Sequence, residues 1–248
     1  VTVHFIGAGP GAADLLTLRA VRLISQSPVC LYAGTYLDEA VLSHAPAGAQ
    51  LVDTQHLDLD AIVEHCVRAH EAGYDVARLC SGDPSLYSAV AEQARRLDRA
   101  GVPWDVTPGV PAYAAAAALV GRELTVPEVA QSVVLTRVHA GSTRMPDGES
   151  LEHFAASGAT LAVHLGIRRA REIAERLTPF YGSDCPVVVV AEAEQPGQVV
   201  LRGRLDDIGD QVEAAGLRQA AVILVGPVLD TGGFAESHLY GTRLRDPR

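Results

Sequence analysis

The segment Gly7-Ala8-Gly9-Pro10-Gly11 restricts the fold more than any other part of this chain. It follows a short β-rich run, Val1–Ile6, and precedes Leu15, Leu16, Leu18, Val21 and Leu23, an apolar spacing that predicts a helix with Asp14 as its N-cap. A strand, a glycine-rich turn and a helix in that order open an α/β sheet. The rhythm then repeats. Pro28–Ala33, Val76–Cys80 and Trp104–Thr107 read as strands. Ile62, Val63, Cys66 and Val67 mark a helix that ends near Gly73, and further helices are expected over about Ser85–Arg99 and Ala112–Val120. Strands alternating with helices predict a mostly parallel sheet.

The best candidate boundary runs from Gly121 to Pro127, which divides the chain into domains of residues 1–121 and 122–248. Beyond it Ser132–Thr136, Thr160–His164, Pro186–Ala191, Val199–Leu201 and Ala221–Val225 read as strands. Leu151–Ala156, Ile167–Leu177 and Leu205–Ala215 read as helices. No helix separates Val187–Val190 from Val199–Leu201, so the second sheet should be mixed. Gly141–Gly148 reads as a polar loop. The expected fold class is α/β, with two α/β domains, the first sheet mostly parallel and the second mixed.

Composition narrows the function. Hydrophobic residues make up 48% of the 248-residue chain, enough for a sizeable core. No apolar run reaches the roughly 20 residues that cross a bilayer, and no signal-peptide pattern opens the sequence; the expectation is a cytoplasmic protein without a membrane partner. The net charge of −10 argues against nucleic acid, which calls for a basic surface. All 20 basic side chains other than histidine are arginine, a residue suited to bidentate carboxylate binding. Cys30, Cys66, Cys80 and Cys185 are isolated and read as buried thiols. His65 and His70 do not share a helical face, and His139, His153 and His164 are scattered, so no metal is expected.

Taken alone, the first turn fits G-x-G-x-x-G/A as Gly7, Gly9 and Ala12, a weak dinucleotide fingerprint. Two features oppose that reading. Pro10 removes a backbone N–H from a loop that would need donors for a pyrophosphate. The second strand also ends in Leu31-Tyr32-Ala33-Gly34, without the acid that would hold a ribose. A plain strand-to-helix turn is the blander alternative. Ser81-Gly82-Asp83-Pro84 closes another strand, with Asp83 expected as an N-cap and Pro84 at the first helical position. Pro108-Gly109-Val110-Pro111-Ala112 is a third such turn. Three at the carboxyl ends of strands, where open α/β sheets bind ligands, are more specific than any one. No G-x-S-x-G elbow occurs, so Ser81 has no esterase context.

Together these segments resemble the tetrapyrrole (corrin/porphyrin) methyltransferase family. Gly7-Ala8-Gly9-Pro10-Gly11-Ala12-Ala13-Asp14-Leu15-Leu16-Thr17 is similar to its opening signature, Ser81–Tyr87 to its second and Pro108–Ala112 to its third. Within the family, Leu31–Gly34, Gly121–Val129, Leu135-Thr136-Arg137, the loop from Gly141 to Glu149, and Leu224–Leu229 resemble the subgroup acting at C11 of precorrin-4. Thr35-Tyr36 and Gln195-Pro196-Gly197 depart from that subgroup's pattern.

The resemblance implies a homodimer with an active-site cleft between its two domains. It also implies transfer of a methyl group from S-adenosylmethionine to C11 of precorrin-4 in cobalamin biosynthesis, leaving S-adenosylhomocysteine. Donor contacts carried over by position are Pro10, Ser81, Gly82, Asp83, Leu86, Tyr87, Pro111 and Ala112, with Leu165 and Ala193 from later in the chain. Arg122, Arg137 and Arg144 are candidates for binding the substrate's carboxylates. No catalytic base is assigned. Methylation of another precorrin ring position, a cobalt-bearing substrate, and a nicotinamide-dependent oxidoreductase built on the first loop stay open as alternatives.

Overall fold

The structure, a computed structural model, describes residues 1–34, 37–138, 144–230, 232 and 234. Thr35-Tyr36 and residues 139–143 of the expected polar loop lie outside the described residues. The chain forms two compact units: residues 1–115 with 192–196, and residues 116–191 with those from 197 onward.

The first unit carries a five-stranded sheet of β1 (Val3–Gly7), β2 (Val29–Tyr32), β3 (Gln50–Asp53), β4 (Val76–Cys80) and β5 (Trp104–Thr107), in the order β3-β2-β4-β1-β5. Every pairing is parallel. Its helices are α1 (Leu18–Gln26), α2 (Glu39–Leu42), α3 (Leu59–Glu71) and α4 (Val90–Arg99), followed by α5 (Ala112–Val120), within which the division between units falls. A parallel sheet needs both faces covered, and the strands alternate accordingly. Phe5, Leu31, Val76 and Cys80 pack with Ile62, Val63, Cys66 and Leu97 from α3 and α4. Ile6, Cys30, Ala77 and Leu79 pack with Ala20, Ile24 and Val41 from α1 and α2.

The second unit holds β6 (Val133–Arg137), β7 (Thr160–His164), β8 (Pro186–Ala191), β9 (Val199–Arg204) and β10 (Ala221–Val225), in the order β6-β7-β10-β8-β9. Only β6 and β7 run parallel; the other pairings are antiparallel. The sheet is mixed, as the missing helix between β8 and β9 predicts. Helices α6 (Leu151–Ala155), α7 (Ala170–Tyr181) and α8 (Ile208–Ala214) pack on Leu161, Val163, Val187, Val189, Ile223 and Val225.

Three local expectations are corrected. Helix α1 is capped by Thr17, whose Oγ1 accepts the N–H of Ala20 at 3.1 Å, because Ala13–Leu15 form a 3-10 turn that carries Asp14 out of the cap position. Helix α4 begins at Val90 rather than near Ser85, so Asp83 is not its N-cap; Tyr87 and Ala89 are left-handed (φ 56° and 51°) and break any earlier helix. The strand β3 and the short helix α2 escape the sequence reading. β3 is a four-residue edge strand whose Gln50, Leu51 and Asp53 are exposed, so it shows no apolar run.

Candidate functional site

The strand order explains why the three turns meet. β4, β1 and β5 are neighbours, all parallel, with Gly7 level with Cys80 and Ile6 with Thr107. The turns leaving them therefore emerge side by side at the carboxyl edge of the sheet. They interlock through backbone. Gly9 and Gly82 form an antiparallel bridge: the Gly82 N–H donates to the Gly9 carbonyl at 2.7 Å and the Gly9 N–H to the Gly82 carbonyl at 3.2 Å. The Ala8 N–H donates to the Cys80 carbonyl at 2.8 Å. A Cβ on Gly7 would come within 2.9 Å of the Gly82 carbonyl oxygen, and one on Gly109 within 2.7 Å of the Gly7 Cα. Only glycine lets the three backbones approach this closely.

Asp83 ties the second turn to the third. Its Oδ2 accepts the Gly109 N–H at 2.9 Å, while Oδ1 accepts the Ser85 N–H at 2.8 Å and the Ser85 hydroxyl at 2.5 Å. Partial burial opposes ionisation of this carboxyl, but the bonds from Ser85 and Gly109 outweigh it and hold its pKa below the usual carboxylate value. Pro111 and Ala112 lie against Gly82, their Cα and N each 3.5 Å from the position a Gly82 Cβ would take. The fourth component is Glu192–Pro196. The Gln195 side-chain amide donates to the Pro10 carbonyl at 3.0 Å, and the Ala193 carbonyl oxygen sits 3.0 Å from where a Gly11 Cβ would be.

The structure therefore brings Pro10, Gly82, Asp83, Pro111, Ala112 and Ala193 together in the first unit. Ser81 is exposed beside them, and Leu86 and Tyr87 occupy the turn after Asp83. Tyr87 is 45% exposed on left-handed backbone. Leu165, in the second unit at the end of β7, is likewise left-handed (φ 54°) and 62% exposed. Ala193 is flanked by left-handed Glu192 and Glu194. Strained non-glycine backbone of this kind concentrates at ligand clamps, and here it falls at or beside three of the sequence-nominated positions.

The arginine candidates all lie in the second unit. Arg122 follows the left-handed Gly121 that ends α5, its N–H donating to the Ala117 carbonyl at 3.0 Å. Arg137 closes β6 and lines a cavity of about 140 Å³ with Val138, Met145, Pro146, Glu149, Ser150, Leu151 and Arg176. Arg144 is exposed and pairs with Asp147 at 2.5 Å. Sequence reasoning did not single out Gly7, Gly109 or Gln195 as structural partners. The first two were visible as members of the first and third turn signatures but not as contacts of one another, and Gln195 only as a departure from the subgroup's pattern.

The geometry separates the two ligand classes that the first loop suggests. A dinucleotide loop offers free N–H groups at a helix N-terminus. Here the N–H groups of Ala8, Gly9, Gly82 and Gly109 are all taken within the turns, and α1 does not start until Leu18. The Asp53 carboxylate near the end of β2 is engaged as well, accepting the N–H groups of Gly34 and Gln55 at 3.0 and 2.9 Å. The segments 7–16, 81–89, 108–112 and 192–196 contain Asp14, Asp83, Glu192 and Glu194 and no Arg or His. Such a site suits a cationic, phosphate-free ligand.

The fold is that of a two-unit α/β protein with its turns gathered at one sheet edge, and the chain belongs to the Tetrapyrrole (Corrin/Porphyrin) Methylases, whose family model matches residues 2–209. It is 58% identical to the precorrin-4 C(11)-methyltransferase of Rhodococcus erythropolis, over 97% of this chain and 96% of that one. Among solved structures it is similar to a cobalt precorrin-4 methyltransferase of cobalamin biosynthesis, with a TM-score of 0.89 and 34% identity, covering 93% of this chain and 96% of the other. It is also similar to the uroporphyrin-III C-methyltransferase of Thermus thermophilus complexed with S-adenosylhomocysteine, with a TM-score of 0.76 and 30% identity over 92% and 93% of the two chains. The nicotinamide alternative is set aside by this membership.

Proposed function

We propose that the chain transfers a methyl group from S-adenosylmethionine to C11 of precorrin-4, a step in cobalamin biosynthesis. The observation that carries this is the near-full-length likeness to a precorrin-4 C(11)-methyltransferase at 58% identity. The lower identity to the cobalt precorrin-4 enzyme, 34%, favours a cobalt-free substrate.

The residues present fit a sulfonium donor. The interlocked turns offer acidic side chains and no cation, and the N–H groups of Gly9, Gly82 and Gly109 are used between the turns. Pro10, Ser81, Gly82, Asp83, Leu86, Tyr87, Pro111 and Ala112 would hold the donor, with Ala193 beside Pro10 and Leu165 from the second unit. When bound, the donor supplies a methyl group on a good leaving group. Asp83 contributes by fixing Ser85 and Gly109; both its oxygens are engaged, so it is no free base. The protein's part is to position the reactants and exclude water, since the conjugated macrocycle makes its own carbon electron-rich. Arg122, Arg137 and Arg144 would bind substrate carboxylates. The working form is a cytoplasmic homodimer that needs no metal; no described helix is long and apolar enough to cross a membrane.

The test is turnover with carbon-13-labelled methyl donor and enzymatically made precorrin-4, read by NMR. A single new methyl signal at C11 is expected. A label at another ring carbon rejects the C11 assignment while keeping the methyltransferase.

A further inference from the structure

A buried charge lies two hydrogen bonds away from the turn Ser85–Ala89. Arg78 lies at the middle of β4, is 9% exposed, and points with Val76 and Cys80 toward the layer of α3 and α4. Its Nε–H donates to the Gln93 side-chain oxygen at 3.0 Å, and an Nη1–H to the Leu79 carbonyl at 3.1 Å. No carboxylate among the described residues forms an ion pair with it. A guanidinium sealed among thiols and aliphatic side chains costs more than an apolar residue of the same size, so stability alone does not account for it.

Gln93, on α4 and 2% exposed, turns that charge into a backbone constraint. With its oxygen facing Arg78, its amide N–H groups face the start of the helix. They donate to the Ala89 carbonyl at 3.1 Å and to the Ser88 carbonyl at 3.4 Å. Ala89 and Tyr87 are the two left-handed residues of this turn, and Ala89 occupies the N-cap of α4 without a side-chain cap. Within the turn the Ser88 hydroxyl donates to the Leu86 carbonyl at 3.1 Å. A left-handed alanine or tyrosine persists only where its surroundings over-determine it.

We propose that Arg78 and Gln93 are positioning residues: the guanidinium fixes the Gln93 amide orientation, and that amide holds the Ser88 and Ala89 carbonyls so that Leu86 and Tyr87 are presented to the methyl donor. The inference rests on the donor-site reading above. It adds a buried relay, reaching from the middle of β4 to the donor turn, that touches no ligand itself.

Gln93→Glu separates this role from a general structural one. The carboxylate keeps the acceptor for Arg78 and neutralises a buried charge, but it loses the N–H donors and sets oxygen against the two carbonyls. Three quantities are read on the full chain: melting temperature, amide hydrogen exchange over residues 85–89, and calorimetric affinity for S-adenosylhomocysteine. The relay predicts an unchanged or higher melting temperature, faster exchange confined to 85–89, and affinity weakened roughly five- to thirtyfold, the scale of one or two hydrogen bonds.

Unchanged exchange and unchanged affinity overturn the relay. Faster exchange with unchanged affinity keeps the constraint and overturns its role in donor binding. Failure of the wild-type chain to bind S-adenosylhomocysteine overturns the donor-site reading instead, and the exchange data then stand on their own. If Gln93→Glu does not fold, Arg78→Lys serves: it keeps the charge but loses the planar fork that fixes the amide. The same local exchange and the same weakening are expected of it, and wild-type values for both overturn the relay.

Discussion

The Oδ2 of Asp83 accepts the backbone N–H of Gly109 at 2.9 Å, joining two turns that lie 26 residues apart in sequence. The other oxygen of the same carboxylate holds Ser85. One side chain thus sets the spacing between the second and third turns, which the glycine contacts bring together but do not orient.

Replacing that carboxylate is predicted to loosen the site before it unfolds the protein. Asp83→Asn keeps the size but has one acceptor oxygen for three donors. Stability should fall by about 1–3 kcal/mol, the cost of leaving a partly buried donor unmade, measured by urea unfolding at pH 7. Affinity for S-adenosylhomocysteine should fall with it. The pH dependence has a definite sign. Because the folded-state pKa of Asp83 is depressed, its contribution is complete above the unfolded value of about 3.9 and is lost as pH falls through the lower folded value. The gap between wild type and Asp83→Asn should therefore be constant from pH 7 to 5 and narrow below about pH 4. A gap that widens on acidification would contradict the assignment.

The glycine contacts make a sharper claim about space. Gly109→Ala places a methyl group against the Gly82 carbonyl and the Gly7 backbone, where no flexible side chain can yield. A loss of about 1–3 kcal/mol or more is expected from overpacking alone, with donor binding abolished because the turns must part. Gly148→Ala is the matched control, since nothing lies within 4 Å of its Cβ position and its φ is not left-handed. It should be neutral within about 0.5 kcal/mol. Thermal melts and calorimetry on the two variants decide the matter.

Much of this arrangement could be read from the sequence, for identifiable reasons. β1, β4 and β5 end in glycine- or proline-rich turns, and each is a strongly apolar or β-branched run, so strand ends and turn positions coincide with the residues that mark them. Asp83 was legible as important but not in its true role. The same Asp-Pro pair that signals an N-cap also suits a turn, and the left-handed Tyr87 and Ala89 that postpone the helix carry no composition signal. The bond from Gln195 to Pro10 spans 185 residues, and no local pattern encodes a partner at that distance. Arg78 lies inside an otherwise apolar strand, and no local pattern marks a guanidinium there as buried.

The thiols offer a check on the first unit's packing and on Cys185 in the second. All four cysteines are buried. Desolvation pushes Cys30 up to about 12 and Cys66, Cys80 and Cys185 up to about 11, although the nearby Arg78 charge pulls the first three the other way. The thiolate is the reactive form, so the native protein should release no chromophore from a disulfide thiol reagent at pH 8, and all four should react in denaturant. Prompt reaction of Cys66 or Cys80 in the native state would mean that the layer holding Arg78 opens readily.

The cavity beside Arg137 gives the substrate assignment its most direct test. Arg176, its neighbour there, is already committed: its Nε and Nη2 donate to the two oxygens of Glu152 at 2.6 and 3.0 Å, which drives the Glu152 carboxyl down to about 2. Arg137 closes β6 and lines the same cavity. If it binds a carboxylate of precorrin-4, Arg137→Ala should raise KM for that substrate by about tenfold or more, the weight of one charge-assisted pair. Affinity for S-adenosylhomocysteine should stay unchanged, because Arg137 is assigned to the substrate's carboxylates and not to the donor. Arg137→Lys should recover only part of the loss, since an ammonium cannot form the paired bonds of a guanidinium. An unchanged KM for Arg137→Ala removes the residue from the substrate site, whereas a parallel loss of donor affinity and melting temperature assigns it to the fold instead.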